Sequence, residues 1–455
     1  MNYYGGDSAV FILMGKMFNA GKIPYVEFFD HKGPSLIFIE AMGLKLTNND
    51  RLSIFILQVI NLFITQILIY KTGKVYLPHF ISIGIVMLTL LAFSFTIQGG
   101  NSTEEWSLPY LYLCLLITIR FEDYSARKQK VCFVIIGMSA AILFWMRLNN
   151  MGVICACILF IIIIALQNKN WGLIRNLTVW STTGFLIVSI PIVIYFIHIG
   201  AFSEMIYASF IFNFKYIQYD IENQPLTFTN MIKEWLSLSI FVIGTIVYYN
   251  KYRDRKILVL CICILSIGFI TTHVGLAYFH YMTLNLPLFS FGIIQIITTL
   301  KVQLVNKSCH VYILTISLSL LFGYTFYKKN QEQYLEDQND TLFIKNAIEI
   351  TDRIPLNQRT SVFTYNISAK FWLINRLTPN YKFFTKQEWH GTHDNNILVE
   401  TNRMIQKNPP LWIIIPNQDA FDKSLNPEFY NTLYKDYNEN YRNNNLILMR
   451  RIASN

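Results

Sequence analysis

The chain has 455 residues, of which 53% are hydrophobic and 15% charged, with a mean hydropathy of +0.35 and a formal net charge of +10. That is too apolar for an ordinary soluble globular protein and reads as a polytopic membrane protein. The Lys and Arg residues are scattered among short loops and an end segment, with no continuous basic, aromatic-interleaved face, so nucleic acid is excluded as a partner and the charge reports membrane topology.

In chain order, the first segment runs from Asp7 to Gly21. Val10, Phe11, Leu13, Met14, Met17 and Phe18 fall on one helical face, with Ser8, Gly15, Lys16 and Asn19 opposite, which predicts an amphipathic helix at the membrane surface. Phe28-Phe29-Asp30-His31-Lys32-Gly33-Pro34 follows, and then an apolar segment over 34–46 that is short of the roughly 17 residues needed to span. This segment is expected to be a juxtamembrane helix lying at the interface.

Apolar runs long enough to cross a bilayer fall near 52–70, 75–97, 106–120, 131–146, 150–166, 177–199, 232–250, 257–273, 281–300 and 309–327. They predict about ten transmembrane helices. One alternating set of short loops carries Lys71, Lys74, Arg120, Arg127, Lys128, Lys130, Lys169, Arg175, Lys251, Arg253, Arg255, Lys256, Lys301 and Lys307. The other carries only Arg147 and Lys215, with Lys233 at a span boundary. Because positive residues are retained on the cytoplasmic side, this bias places Asp7, the 98–105 loop, the long 200–231 loop and everything after 327 outside the cytoplasm. An even number of spans puts both ends outside. Nothing ahead of Asp7 could carry the N-terminus across, so a first transmembrane helix is expected to be missing from this chain.

Residues 328–455 turn rich in Asn, Lys, Asp, Glu and Tyr, and predict a soluble extracytoplasmic domain. Short β-type runs at Ser361–Tyr365, Leu411–Ile415 and Leu446–Met449 alternate with helical patterns at Thr341–Ile350 and Ile397–Ile405, which suggests a small α/β module. The expected fold is therefore an all-α polytopic membrane protein with juxtamembrane helices and a small C-terminal α/β extracytoplasmic domain. Its divisions are 1–51, an external catalytic loop, 52–327, the transmembrane helices, and 328–455. The seven cysteines lie in or beside apolar runs without metal-ligand spacing and read as structural.

Ionisable groups gathered beside a bilayer are costly to keep, which draws attention to five places. Asp7 stands where a carboxylate caps a helix, so structure alone accounts for it. Tyr25, Asp30, His31 and Lys32 precede a Gly-Pro turn and read either as water-facing polar residues or as a carboxylate, an imidazole and an ammonium set to bind a lipid phosphate. In the loop Gly99-Gly100-Asn101-Ser102-Thr103-Glu104-Glu105-Trp106, Ser102 and Glu105 fit a capping box, and Glu104 adds a second carboxylate. Arg147 ends a span on the outside against the charge rule, and snorkelling to headgroups is its simplest explanation. His280 and Tyr281, at another outer boundary, read as interface anchors.

Asp7 ahead of an amphipathic helix, then Gly21-x-x-Pro24-Tyr25 and Phe29-Asp30-His31-Lys32-Gly33-Pro34, resembles the first external loop of the GT-C glycosyltransferases. The resemblance is to the branch that includes protein O-mannosyltransferases and the lipid A aminoarabinose transferases. The Gly99-to-Glu105 loop, Arg147-Leu148-Asn149 and His280-Tyr281 are similar to later landmarks of bacterial members. The resemblance implies a glycosyltransferase of a bacterial cytoplasmic (inner) membrane that moves a sugar from a polyprenyl-phosphate donor to an unknown extracytoplasmic acceptor, which could be a cell-envelope glycan, a lipid or a protein. It also implies Asp7 as the catalytic carboxylate and Lys32 as the phosphate ligand, with His31 beside it and Arg147 assisting. Asp30, Tyr25, Glu104, Glu105, His280 and Tyr281 become candidate donor or acceptor contacts. Many family members carry an acidic residue next to the lysine, where this chain has His31. No metal ligands are assigned, no cofactor is called for, and a divalent ion is left open. Two other readings compete: an O-antigen polymerase or ligase, and a non-enzymatic lipid or glycan transporter. The first calls for Arg and His in a large outer loop, and the second for ionisable groups or helix breaks near the midplane.

Overall fold

The computed structural model describes residues 5–97, 99–223, 228–272, 279–304, 324, 328, 341–417 and 424–452. The chain falls into two compact units. Met1–Ile54, Phe196–Tyr219 and Gln331–Asn455 form the first, and Phe55–Tyr195 with Asp220–Asn330 the second.

Helices α3 (Asp50–Tyr76), α4 (His79–Thr96), α5 (Thr103–Arg120), α6 (Ala126–Phe144), α7 (Gly152–Gln167), α8 (Trp171–His198), α11 (Phe228–Tyr252), α12 (Arg255–Thr272) and α13 (Leu286–Leu304) supply the second unit, with the ends of α3 and α8 continuing into the first. Each apolar run up to 281–300 coincides in large part with one of these helices, whereas 309–327 lies outside the described residues. Among the described residues, five stretches are long and apolar enough to cross a membrane: Asp50–Tyr76, His79–Thr96, Leu148–Gln167, Trp171–His198 and His280–Leu300. Many of their large side chains face outward, such as Phe55, Phe63, Ile187 and Ile194, as expected where the surrounding solvent is lipid.

Without a hydrophobic driving force between helices in lipid, close packing has to come from small residues. Two reciprocal glycine contacts supply it. A Cβ on Gly137 of α6 would collide with the Ser181 carbonyl of α8, and one on Gly184 of α8 with the Val134 carbonyl of α6. Gly244 of α11 and Gly292 of α13 meet in the same way. Gly184→Ala must push two backbones apart, and overpacking of this kind costs about 1–3 kcal/mol. The variant is expected to unfold at a lower temperature in detergent than the parent. Gly84→Ala is the control, because a Cβ there meets nothing within 4 Å, and it should leave the midpoint in place.

The first unit opens with α1 (Gly6–Asn19) and α2 (Pro34–Gly43). The expected amphipathic surface helix is not what forms: Ser8 to Gly15 and Met17 are all buried, so α1 is enclosed on nearly every side. Its polar Gly15 is the reason α2 can approach, since a Cβ there would lie 2.8 Å from the Glu40 Cβ and 3.0 Å from the Ala41 nitrogen. The expected 200–231 loop is also largely helical: α9 (Phe202–Ile206), a π-helical turn (Tyr207–Ile211) and α10 (Phe212–Asn223) fill most of it.

In the C-terminal part, residues 341–352 are helical (α14), followed by α15 (Lys370–Ile374), α16 (Gln387–His393), α17 (Asn396–Lys407) and α18 (Pro427–Asp436). A four-stranded sheet in the order β1-β2-β4-β3 comprises β1 (Val362–Thr364), β2 (Trp412–Pro416), β3 (Tyr437–Arg442) and β4 (Leu446–Arg451). β1 pairs parallel to β2, with Val362 opposite Trp412; β2 and β3 run antiparallel to β4, with Ile414 opposite Leu448. Three of the strands coincide with the expected β-type runs. β3, with the sequence Tyr-Asn-Glu-Asn-Tyr-Arg, has no apolar run to announce it. One face of the sheet packs Phe363, Tyr365, Ile413, Phe429, Leu433 and Met449 into a core, with Tyr365 and Phe429 stacked at 3.7 Å.

Candidate active site

In the first unit the N-terminal stretch is fastened to the C-terminal part. The Phe29 amide donates to the Lys382 carbonyl at 2.9 Å, and the Lys22 ammonium to the Pro379 carbonyl at 2.5 Å. The Phe29 ring fills a slot among Phe212, Phe383 and His390, with centroids 5.3–5.6 Å away. These attachments fix Tyr25, Asp30, His31 and Lys32, all of which are buried. Tyr25 takes a left-handed φ of 67° and donates its hydroxyl to the Lys32 carbonyl at 2.9 Å, closing the loop on itself.

Asp30 accepts the Lys32 amide at 2.9 Å, and its carboxylate lies 3.9 Å from His31 Nδ1. Burial pushes the Asp30 carboxyl up, against the opposing pull of Lys32. The Lys32 ammonium lies 2.5 Å from His31 Nε2 and 5.9 Å from the centre of the Phe11 ring. An ammonium has no lone pair, so His31 Nε2 is the acceptor in this contact. Asn213 of α10 holds the His31 carbonyl at 2.8 Å.

Asp7 sits in the first turn of α1 rather than at its cap, which is Gly5. Its carboxylate is exposed and accepts a hydrogen bond from Lys386 at 2.8 Å. Lys386 leads α16, whose Trp389, His390 and His393 gather beside His31 and Tyr216. Burial, with the Lys386 and Lys32 cations adding to it, pushes His390 down to about 3, so its ring is neutral. At the end of α16, Asp394 accepts from Tyr207 and, at 2.5 Å, from Lys215. Burial would raise this carboxyl, but these hydrogen bonds, one more from the Asn396 amide and the Lys215 charge together outweigh it and hold the group below the usual range.

The remaining candidates lie in the second unit. Ser102 caps α5 by accepting from the Glu105 amide at 3.2 Å, as the capping-box reading expects. The Glu105 carboxylate is buried and taken up by the Gln58 amide group at 3.0 Å and the Asn101 backbone at 2.7 Å. Glu104 accepts from Arg147 at 2.7 Å, and the same guanidinium donates to the Tyr281 hydroxyl while lying 4.5 Å from the centre of the Tyr281 ring. With only 12% of its side chain exposed, Arg147 is held between a carboxylate and a phenol and does not snorkel outward. His280 packs edge-on against Tyr281 at 4.7 Å. The sequence candidates thus form two groups: Asp7, Tyr25, Asp30, His31 and Lys32 in one unit, and Glu104, Glu105, Arg147, His280 and Tyr281 in the other.

The residues that sequence reasoning missed are those of α16. Lys386-Gln-Glu-Trp-His-Gly-Thr-His-Asp394 packs two histidines, a tryptophan and three charges into nine positions, and that density is the signal that marked them.

No protein-family model and no characterised protein sequence matches the chain. Solved structures do. ArnT from Cupriavidus metallidurans bound to undecaprenyl phosphate superposes with a TM-score of 0.59 at 11% identity, over 100% of this chain and 95% of that one. ArnT is a lipid A aminoarabinose transferase of the GT-C type. The chain has the GT-C fold. The same ArnT in its apo state superposes with a TM-score of 0.47 at 10% identity, over 99% of this chain and 94% of that one. The GT-C fold agrees with the resemblance read from the first 35 residues, although hardly one residue in nine is shared with that neighbour.

Proposed function

We propose that the chain is a membrane glycosyltransferase that takes a hexose or pentose from a polyprenyl-phosphate carrier and delivers it to an acceptor on the extracytoplasmic side. The observation that carries this reading is the buried Lys32, whose backbone amide is held by Asp30 and whose ammonium is held by His31, in a GT-C fold and in the same unit that bears the accessible carboxylate of Asp7. Lys32 binds the phosphate leaving group as a point charge. Asp7 takes the acceptor proton or steadies positive charge developing on the sugar. Tyr25 closes the loop that carries Lys32 by donating to its carbonyl. The undecaprenyl phosphate bound by ArnT supports the class of carrier. The excess of Lys and Arg in alternate loops supports placing Asp7 outside the cytoplasm.

Membranes containing the full chain, incubated with a panel of radiolabelled polyprenyl-phosphate sugars, are expected to move label from one donor into a new product. Membranes lacking the chain should not. If every donor in the panel stays intact or is lost equally in both membranes, the reading is wrong.

A further inference from the structure

His390 is 2% exposed, and neither Nδ1 nor Nε2 has a hydrogen-bond partner. Its ring stands edge-on to Phe29 at 5.4 Å and to Trp389 at 5.0 Å, surroundings that a phenylalanine would suit without stranding two polar atoms. Each unsatisfied buried polar group costs about 1–3 kcal/mol, so a histidine persists here against a standing penalty that a ligand would remove. Ligand atoms from Asp30, His31 and His390, one from each, lie within 4.8 Å of one another, and all three residues are buried. Two imidazoles and a carboxylate are a donor set suited to zinc, whose bonds of about 2.0–2.2 Å at tetrahedral angles place donors about 3.4 Å apart. Side-chain adjustments of roughly 1 Å close that difference.

We propose that Asp30, His31 and His390 bind a zinc-like divalent cation, leaving its fourth position open to water or substrate. The site joins the N-terminal stretch to α16 of the C-terminal part, so the ion ties together two segments some 360 residues apart in the chain. It also acts on Lys32. The lone pair of His31 Nε2 receives the Lys32 ammonium. An ion bound at Nε2 takes that lone pair directly. An ion bound at Nδ1 requires the neutral ring to carry its proton on Nε2 instead. In either case His31 no longer accepts from Lys32, and the positive ion repels the ammonium toward an incoming phosphate. This last consequence rests on the phosphate-binding role of Lys32; the metal site itself does not.

The test uses the full chain, purified in detergent without a histidine tag, stripped with chelator and then equilibrated with zinc or cobalt(II). The parent is expected to retain one equivalent of zinc by elemental analysis, to show the visible absorption of tetrahedral cobalt, and to unfold at a higher temperature when loaded. Asp30→Asn and His390→Phe should lose the bound metal and the cobalt absorption, and phenylalanine fits the aromatic slot so that the second variant still folds. Lys32→Ala should keep its metal. No zinc above background in the parent, or full retention in His390→Phe, overturns the site. Zinc binding without sugar transfer would remove only the transferase reading, and transfer without zinc binding only this one.

Discussion

Replacing Asp7 by asparagine is expected to lower sugar transfer at least a hundredfold while leaving expression and thermal unfolding unchanged. A positioned base or acid typically contributes 10²–10⁴ to a rate, and the amide keeps the shape of the carboxylate without its charge or basicity. The fold should not notice. Asp7 and Lys386 leave 56% and 46% of their side chains exposed, and ion pairs at that exposure contribute about 0–1 kcal/mol. Lys386 shares the carboxylate, so Lys386→Ala separates two uses of it: a smaller change in turnover than Asp7→Asn places Lys386 as a positioning residue. Initial rates measured with the preferred donor decide the matter, and unchanged turnover in Asp7→Asn would remove the catalytic assignment.

Lys32→Met is expected to weaken binding of the lipid phosphate strongly. Methionine keeps an unbranched stem near Phe11 but deletes the charge, so the effect reports electrostatics more than packing. A hydrogen bond to a charged group is worth about 1.5–3 kcal/mol, which corresponds to a roughly 10- to 150-fold loss of affinity. The same change removes the ammonium that opposes the burial of Asp30, so the Asp30 carboxyl should move further upward. Equilibrium binding of a labelled polyprenyl phosphate to the purified variant measures the first effect. Affinity equal to that of the parent would show that the phosphate is held elsewhere.

The helical framework was legible because apolar runs of membrane-spanning length leave a strong trace, as did three of the four strands. What escaped was the setting of each element. The polar positions of α1 are Ser8, Gly15, Lys16 and Asn19; Ser8 and Gly15 are buried, Lys16 is half-buried and Asn19 exposed, and three of the four meet partners that no local pattern contains. Gly15 admits the backbone of α2, Lys16 pairs with Asp50 at 2.6 Å, and Asn19 donates to the Ala41 carbonyl at 2.8 Å. Tertiary packing overrode the amphipathic reading. The 200–231 segment looked like a loop because its aromatic and polar residues alternate irregularly, yet Tyr207, Asn213 and Lys215 are each satisfied by residues of the N-terminal stretch or of α16.

The candidate site was legible by half. Asp7, Asp30, His31 and Lys32 stand in a short run whose chemistry is visible residue by residue. Lys386 and His390 are remote in sequence, and nothing in the spacing of the first 35 residues could call for them. Arg147 was seen as an exception to the charge rule, and its contacts with Glu104 and Tyr281 supply the reason that the exception is tolerated.

The 379-residue separation between Asp7 and Lys386 has a consequence for biogenesis. At about 5–20 residues per second, a ribosome needs roughly 20–75 s to produce the intervening chain, so the N-terminal stretch must wait through most of translation before its partner exists. During that interval Phe29 lacks the Phe383 and His390 walls of its slot, and a chaperone or the bilayer itself has to shelter it.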